Sequence, residues 1–313
     1  MPTLSGDRVG PLLRSLAVDR PGEFQVLVVD NGSRDPGIDR AVAELNDAEV
    51  IRLESNAGFS RAVNLAAQRA QGDALVLLND DCVCDPGFVG RIVAALEPRA
   101  GVVMAAGVMR DAWDRSRIDT AGLELDRTLL GFDYLNGELL ARLDQGVPDP
   151  AGPSGAAAAF DREAFLDVGG FDENLFAYWE DVDLVLRMRC RGATCRLAAG
   201  ARGDHAHSAT LGSGSGRKDY LMGFGRGYLL RKWGVLSPRR LPSVLVRDLA
   251  ICAGQAAIDR SLAGVRGRVD GWRRAPRGRS YPSAALPESM PTLGSTLARR
   301  WRRRARLRER SLE

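Results

Sequence analysis

The run Ala74-Leu-Val-Leu-Leu78, five apolar residues without alternation, passes directly into Asn79, Asp80 and Asp81. An unbroken apolar run of this length reads as a parallel strand buried on both faces. In an open α/β sheet, ligand chemistry collects at the carboxyl ends of such strands. Two adjacent carboxylates there repel one another unless a positive group sits beside them. A hard divalent cation, held by one or two carboxylates and by substrate phosphates, is the simplest such group.

The flanking chain supplies the rest of such a sheet. Residues 24–30, 49–53 and 101–105 are short apolar strands, and 155–160 is a strand of small residues. Helical patterns lie between them at 9–16, 35–45, 56–70, 86–96 and 162–168. Strands alternating with helices at this spacing argue for a mostly parallel, Rossmann-like nucleotide-binding sheet flanked by helices. Residues 175–184 open a further helix that runs to Arg191 and is stopped by Gly192. Val182, Val185 and Leu186 form its inner stripe, with Glu180 and Asp181 in the first turn. Residues 111–153 carry only a weak pattern.

After Trp233-Gly234 the composition shifts. Residues 241–262 read as an amphipathic helix and 266–283 as irregular Arg/Gly/Pro-rich chain. Residues 297–310 set Leu297, Trp301 and Leu307 among arginines. The expected organisation is a sheet domain over 1–234 and a helical, Arg-rich, partly disordered extension over 235–313. A chain of 313 residues, 45% hydrophobic and 27% charged, can bury a full core. Its five cysteines fall in no regular framework, which suits a reducing cytoplasm and offers no zinc spacing. No apolar run reaches the roughly 20 residues needed to span a bilayer, and no signal-peptide pattern opens the chain. The expected location is therefore the cytoplasm, including the inner face of the plasma membrane.

Five segments in this order resemble inverting family-2 glycosyltransferases of the GT-A fold, above all the rhamnosyltransferase-like branch. They are Val28-Val-Asp-Asn-Gly-Ser33, Asn56-Ala-Gly-Phe59 with Asn64, Leu78-Asn-Asp-Asp81, Gly169-Gly-Phe-Asp172 and Glu180-Asp-Val-Asp-Leu184. His205 with Ser208-Ala-Thr210 adds a weaker match. The resemblance implies a nucleotide-diphosphate sugar donor (dTDP- or UDP-sugar), Mg²⁺ or Mn²⁺, and a glycan or polyprenyl-linked acceptor in cell-envelope polysaccharide synthesis. It implies donor-binding roles for Thr3, Asp30, Asn56, Gly58 and Asp80, and metal binding by Asp81 and His205. Asp181 is implied as the general base, supported by Glu180 and Asp183. Asn79 stands where the metal motif usually begins with Asp. The family's usual first strand leads into a segment like Pro2-Thr3-Leu4, so that strand is expected to be missing here. A truncated, catalytically inactive nucleotide-sugar-binding or interaction module is the alternative.

The residue types suit that chemistry. Departure of a diphosphate develops charge that a divalent ion stabilises directly, and single displacement needs one carboxylate base opposite the leaving group. Plainer readings stand beside these. Asp80, Asp81 and Asp30 can simply start turns, and Asp183 can pair with Arg187 along the helix. Tyr178 and Trp179 suit either packing or an acceptor platform. For the basic tail, contact with an anionic membrane surface is preferred to plain disorder. Nucleic-acid binding is not expected, since no recognised module accompanies the charge.

Overall fold

The computed structural model describes residues 1–19, 24–45, 48–206, 215–276, 280–286 and 294. The chain enters through β1 (Pro2–Thr3) and α1 (Gly6–Leu16), then alternates: β2 (Val26–Asp30), α2 (Gly37–Ala43), β3 (Ala48–Arg52), α3 (Phe59–Arg69), β4 (Ala74–Leu78). After the turn at Asn79–Asp81 come β5 (Cys82–Cys84), α4 (Phe88–Val93) and a ten-residue strand, β6 (Val102–Asp111). Three short strands follow, β7 (Asp114–Thr120), β8 (Leu123–Leu125) and β9 (Gly131–Asp133). The chain then returns to the main sheet as β10 (Ala157–Asp161), α5 (Arg162–Asp167), α6 (Glu180–Arg189) and β11 (Thr194–His205). It closes with α7 (Gly216–Lys232), α8 (Leu241–Gly254) and α9 (Ala263–Arg274).

β1, β2 and β3 form one parallel sheet, and the second runs β4-β10-β6-β11-β5, with β7 on β6. β10 is antiparallel to both β4 and β6, and β11 is parallel to β6, so β4, β6 and β11 point the same way. Alternate residues of β10 face opposite layers, as the two-residue period of a strand requires. Ala158 and Phe160 pack with Val63, Phe165 and Leu186, whereas Ala157 and Ala159 pack with Leu12, Phe88 and Ile92. The result is a three-layer helix–sheet–helix sandwich, as α/β patterning predicts.

Of the first strand expected to be missing, Pro2 and Thr3 are present as a two-residue ladder, opposite Val29 and Asp30 of β2. Past that ladder an apolar cavity of about 430 Å³ separates β2 from β4, lined by Phe24, Val26, Leu27, Leu75 and Leu77 among others. It explains why Ala74, Leu75 and Val76 are only partly buried, although their run is wholly apolar.

The irregular chain expected over 266–283 is instead helical through Arg274. The glycines that suggested disorder are packing contacts. Gly264, Gly267 and Gly271 lie on one buried face of α9, where a Cβ on Gly267 or Gly271 would stand 2.1 or 1.9 Å from a backbone oxygen of α7. Small residues let two helix backbones approach more closely than ridges and grooves normally allow. The tail pattern at 297–310 lies outside the described residues.

Candidate active site

The turn that ends β4 puts Asp81 beside the last residue of β11. β11 pairs antiparallel with β5 so that His205 stands opposite Cys82. That register places the His205 Nε2 3.1 Å from the Asp81 Oδ1. On its other side, the His205 Nδ1 lies 2.8 Å from Asp119 Oδ2, a carboxylate from β7. Burial by itself would lower the His205 pKa, but the two carboxylates outweigh it and raise it to about 10. Burial pushes the Asp81 carboxyl up, yet the His205 hydrogen bond and charge prevail and hold it below its ordinary value. The imidazolium thus serves as the cation that the adjacent carboxylates require.

Asp81, Cys82 and His205 bring one ligand atom each within 4.8 Å of one another. The Cys82 thiol is pushed well above its ordinary pKa by burial, then by Asp81, so it remains a neutral thiol. If the ring gives up its extra proton to an incoming cation, the Asp81 carboxylate and the His205 imidazole fit a divalent ion that also binds phosphate oxygens. Asp119 then fills the place of the carboxylate that orients a ligating histidine. It lies in the weakly patterned stretch after residue 111, where no sequence motif singles it out.

The residues expected to bind the donor line the same end of the sheets, and several already have partners. Asp80 is buried, accepts a 2.8 Å hydrogen bond from the Thr3 hydroxyl and lies 3.9 Å from Arg8. Burial raises its pKa. Asp30 Oδ1 accepts from the backbone N–H and the hydroxyl of Ser33, closing the polar turn after β2. Its other oxygen lies 4.0 Å from Arg52. Asn56 Oδ1 accepts from the Gly58 N–H. The Asn31 side chain, which sequence reasoning did not single out, fastens this loop to β2 by donating to Gly58 O and accepting from Ala57 N–H. Gly58 has φ +89°, and a Cβ there would lie 2.6 Å from Phe176 O. Its glycine is therefore demanded by the chain segment ahead of α6. Asn64 similarly clasps Phe171, accepting from its N–H and donating to its carbonyl. Ser208–Thr210 lie outside the described residues.

Helix α6 begins under strain. Tyr178 and Trp179, both non-glycine, have φ of +69° and +74°, a conformation that costs on the order of 1–3 kcal/mol per residue and clusters at functional sites. Packing holds Trp179 there: it is buried, and its indole N–H donates to Met222 O of α7 at 2.9 Å. This assigns Trp179 to packing, while Tyr178 stays partly exposed under Lys218. Glu180 and Asp181 follow. Burial raises the Asp181 carboxyl to about 6, with the charge of nearby Asp133 adding to the shift, while hydrogen bonds from the Val182 and Gly155 N–H groups oppose it. Glu180 is buried, one of its oxygens has no partner among the described residues, and burial followed by Asp181 pushes its pKa well up. Its charged form is therefore disfavoured beside Asp181. Asp183 faces the core instead, bound to Arg187, Lys232 and Trp233.

Gly155 and Ala156 connect Asp181 to the Asn79–Asp81 turn. The Gly155 N–H reaches the Asp181 carboxylate, and the next residue's carbonyl accepts from the N–H of Asn79, which opens the Asn79–Asp81 turn. The 430 Å³ cavity contains none of these carboxylates and is not this site.

Solved structures share this architecture. The chain matches GalNAc-T7, solved with UDP, GalNAc and Mn²⁺, with a TM-score of 0.56 and 17% identity over 71% of this chain and 44% of that one. It matches the Pyrobaculum calidifontis mannosyltransferase PcManGT, solved with GDP-Man and Mn²⁺, with a TM-score of 0.53 and 15% identity over 88% and 74%. Among curated proteins it is 31% identical over 194 residues to the N-acetylglucosaminyl-diphospho-decaprenol L-rhamnosyltransferase of Mycobacterium tuberculosis, covering 54% of this chain and 62% of that protein. It is 28% identical over 210 residues to the O-antigen biosynthesis protein RfbC of Myxococcus xanthus, covering 62% of this chain but only 16% of that protein. The chain thus spans less than two thirds of either relative. The model of glycosyl transferase family 2 matches residues 4–168, which carry α1 through α5 and the Asp80–Asp81 turn, and the chain belongs to that family.

Proposed function

We propose that this chain transfers a sugar from a nucleoside-diphosphate donor to a hydroxyl of a glycan or polyprenyl-linked acceptor, with inversion at the anomeric carbon. The observation that carries this reading is the joining of Asp181 to the Asp81–His205 pair through the single dipeptide Gly155–Ala156. The Asp81 end of this connection would receive the leaving diphosphate and the Asp181 end the incoming hydroxyl, so that both could flank one anomeric carbon. Asp81 and His205 would hold a divalent ion, which would supply charge stabilisation to the departing diphosphate. Asp181, with a pKa of about 6, is ionised at neutral pH yet basic enough to accept the acceptor hydroxyl's proton. Burial and the neighbouring Asp181 disfavour a second charge on Glu180.

Thr3, Asp30, Asn56, Gly58 and Asp80 form the wall proposed to receive the nucleoside, and the Thr3–Asp80, Ser33–Asp30 and Gly58–Asn56 hydrogen bonds organise it in advance. The rhamnosyltransferase relative supports a deoxyhexose and a polyprenyl-diphosphate-linked acceptor, and the family resemblance a dTDP or UDP carrier. The test is to incubate the chain with a panel of dTDP-, UDP- and GDP-sugars, Mn²⁺ and a short-chain polyprenyl diphosphate N-acetylglucosamine, and determine the anomeric configuration of any product by NMR. An inverted product supports the reading. A retained product excludes Asp181 as the base of a single displacement, and donor binding without turnover favours the inactive binding module.

A further inference from the structure

The outer faces of α8 and α9 carry large apolar side chains that the other described residues leave substantially exposed. On α8, Leu241, Leu245, Val246 and Leu249 are 40–66% exposed. On α9, Leu262, Val265, Val269 and Trp272 are 37–70% exposed, at i, i+3, i+7 and i+10. Each set follows one side of its helix. These are not displaced core residues, because the opposite sides are already occupied. α8 buries Val244 in the main core and is fixed by Arg247 to Asp126 at 2.7 Å. α9 buries its glycines against α7. Arg268 of α9 pairs with Asp248 of α8 at 2.9 Å, so the two helices are fastened together. Isolated exposed leucines need no explanation, but two such stripes on adjoining helices mark an interaction surface.

Charge selects the partner. Residues 235–313 hold 18 arginines and no lysine against six acidic residues, a net +12, so residues 1–234 carry −8. Arg260, Arg266, Arg273 and Arg274 are exposed around the α9 stripe. A second copy would bring like charge to this face, and so would residues 287–313, with eight arginines against three acids. The stripes stand on outer helix surfaces and not in a groove, which suits a planar, water-bounded apolar phase better than a partner helix. We infer that α8 and α9 form a docking surface for an anionic lipid bilayer, with the aliphatic side chains entering the interface and the arginines meeting lipid phosphates. The surface lies on the Asp181 side of the site: Asp126, which anchors α8, opens the β8–β9 turn, and β9 ends at Asp133, whose charge acts on Asp181. Docking there presents Asp181 to acceptors held in the membrane. That purpose rests on the proposed transferase reading, whereas the docking itself does not.

The test uses the full chain and vesicles of phosphatidylcholine alone or mixed with phosphatidylglycerol, scored by co-sedimentation. The expected result is binding to the anionic vesicles only, weakened by salt, and reduced about tenfold or more in Leu245→Ser/Leu249→Ser/Val269→Ser. Brominated lipid should quench tryptophan emission in the parent chain and quench it less in Trp272→Phe. Because the changed residues are exposed, melting temperature and donor-induced thermal shift should stay unchanged, which separates failure of docking from failure of the transferase reading. Three outcomes overturn the inference. They are no anionic-vesicle binding by folded protein, leaving an acidic protein surface as the occupant; undiminished binding by the serine variant, meaning charge alone carries it; and a change of oligomeric state in that variant, meaning a second copy covers the face.

Discussion

Asp181 and Asp183 stand two residues apart on one helix and are expected to fail in opposite ways. Asp183 is fully buried, and its carboxylate accepts from Arg187 Nε at 2.7 Å, Lys232 Nζ at 2.9 Å and Trp233 Nε1 at 3.0 Å. Replacing it by alanine removes the anion shared by two buried cations and leaves Lys232 with Asp172 alone. Breaking a buried pair from one side costs about 3–5 kcal/mol. For a chain of this size that is a fall of roughly 10 °C in melting temperature.

Asp181 is only partly buried, and its folded pKa of about 6 lies above the ordinary aspartate value of 3.8. A raised carboxyl favours the folded state while protonated, so stability declines as pH rises from the unfolded toward the folded pKa. Above that window Asp181→Asn removes a charge that the fold disfavours, and the variant should melt at or above the parent at pH 7.5. Its transfer rate should fall by about 10²–10⁴-fold, the range of a lost general base. Urea unfolding monitored by tryptophan emission, with turnover measured on the same samples, checks both. Asp183→Ala within about 1 kcal/mol of the parent, or Asp181→Asn as destabilised as Asp183→Ala, would refute this division of roles.

Three further outcomes follow from the geometry. Asp119→Ala frees the His205 ring and should weaken Mn²⁺ binding about 10–100-fold by calorimetry, with Asp119→Glu recovering part of the affinity. The acidic limb of the kcat/KM profile should inflect near pH 6, since only ionised Asp181 accepts the proton, and Asp181→Asn should abolish that limb. Gly271→Leu, forced against the Phe224 carbonyl, should detach α9 from α7 and expose the stretch to limited proteolysis, whereas Gly90→Ala, with open space around its Cα, should not.

The elements that carry a strong hydrophobic period were readable from sequence, and the site followed where it sits at their ends. The run at Ala74–Leu78 is a strand delivering Asp81 to the sheet's edge, and Val182, Val185 and Leu186 do turn α6 inward. The Asp183–Arg187 pair was legible too, because spacing along a helix is local information. Asp119 was not, since only the β6–β7 and β6–β11 ladders bring it to His205 and no local pattern encodes those pairings. α9 was hidden for another reason: its glycines lower helix propensity, and the α7 contact that repays them is tertiary. Likewise, the glycine at position 58 is fixed by a carbonyl 118 residues away in the chain.

The central claim, an ion-dependent donor site at Asp81 and His205, is tested most directly by thermal shift with dTDP-, UDP- and GDP-sugars, each with and without Mn²⁺. A ligand that binds only the folded chain raises the melting midpoint by mass action. The account predicts a rise with one nucleotide class, present only with Mn²⁺ and lost in Asp81→Asn. A rise that is indifferent to Mn²⁺ and survives Asp81→Asn would contradict it.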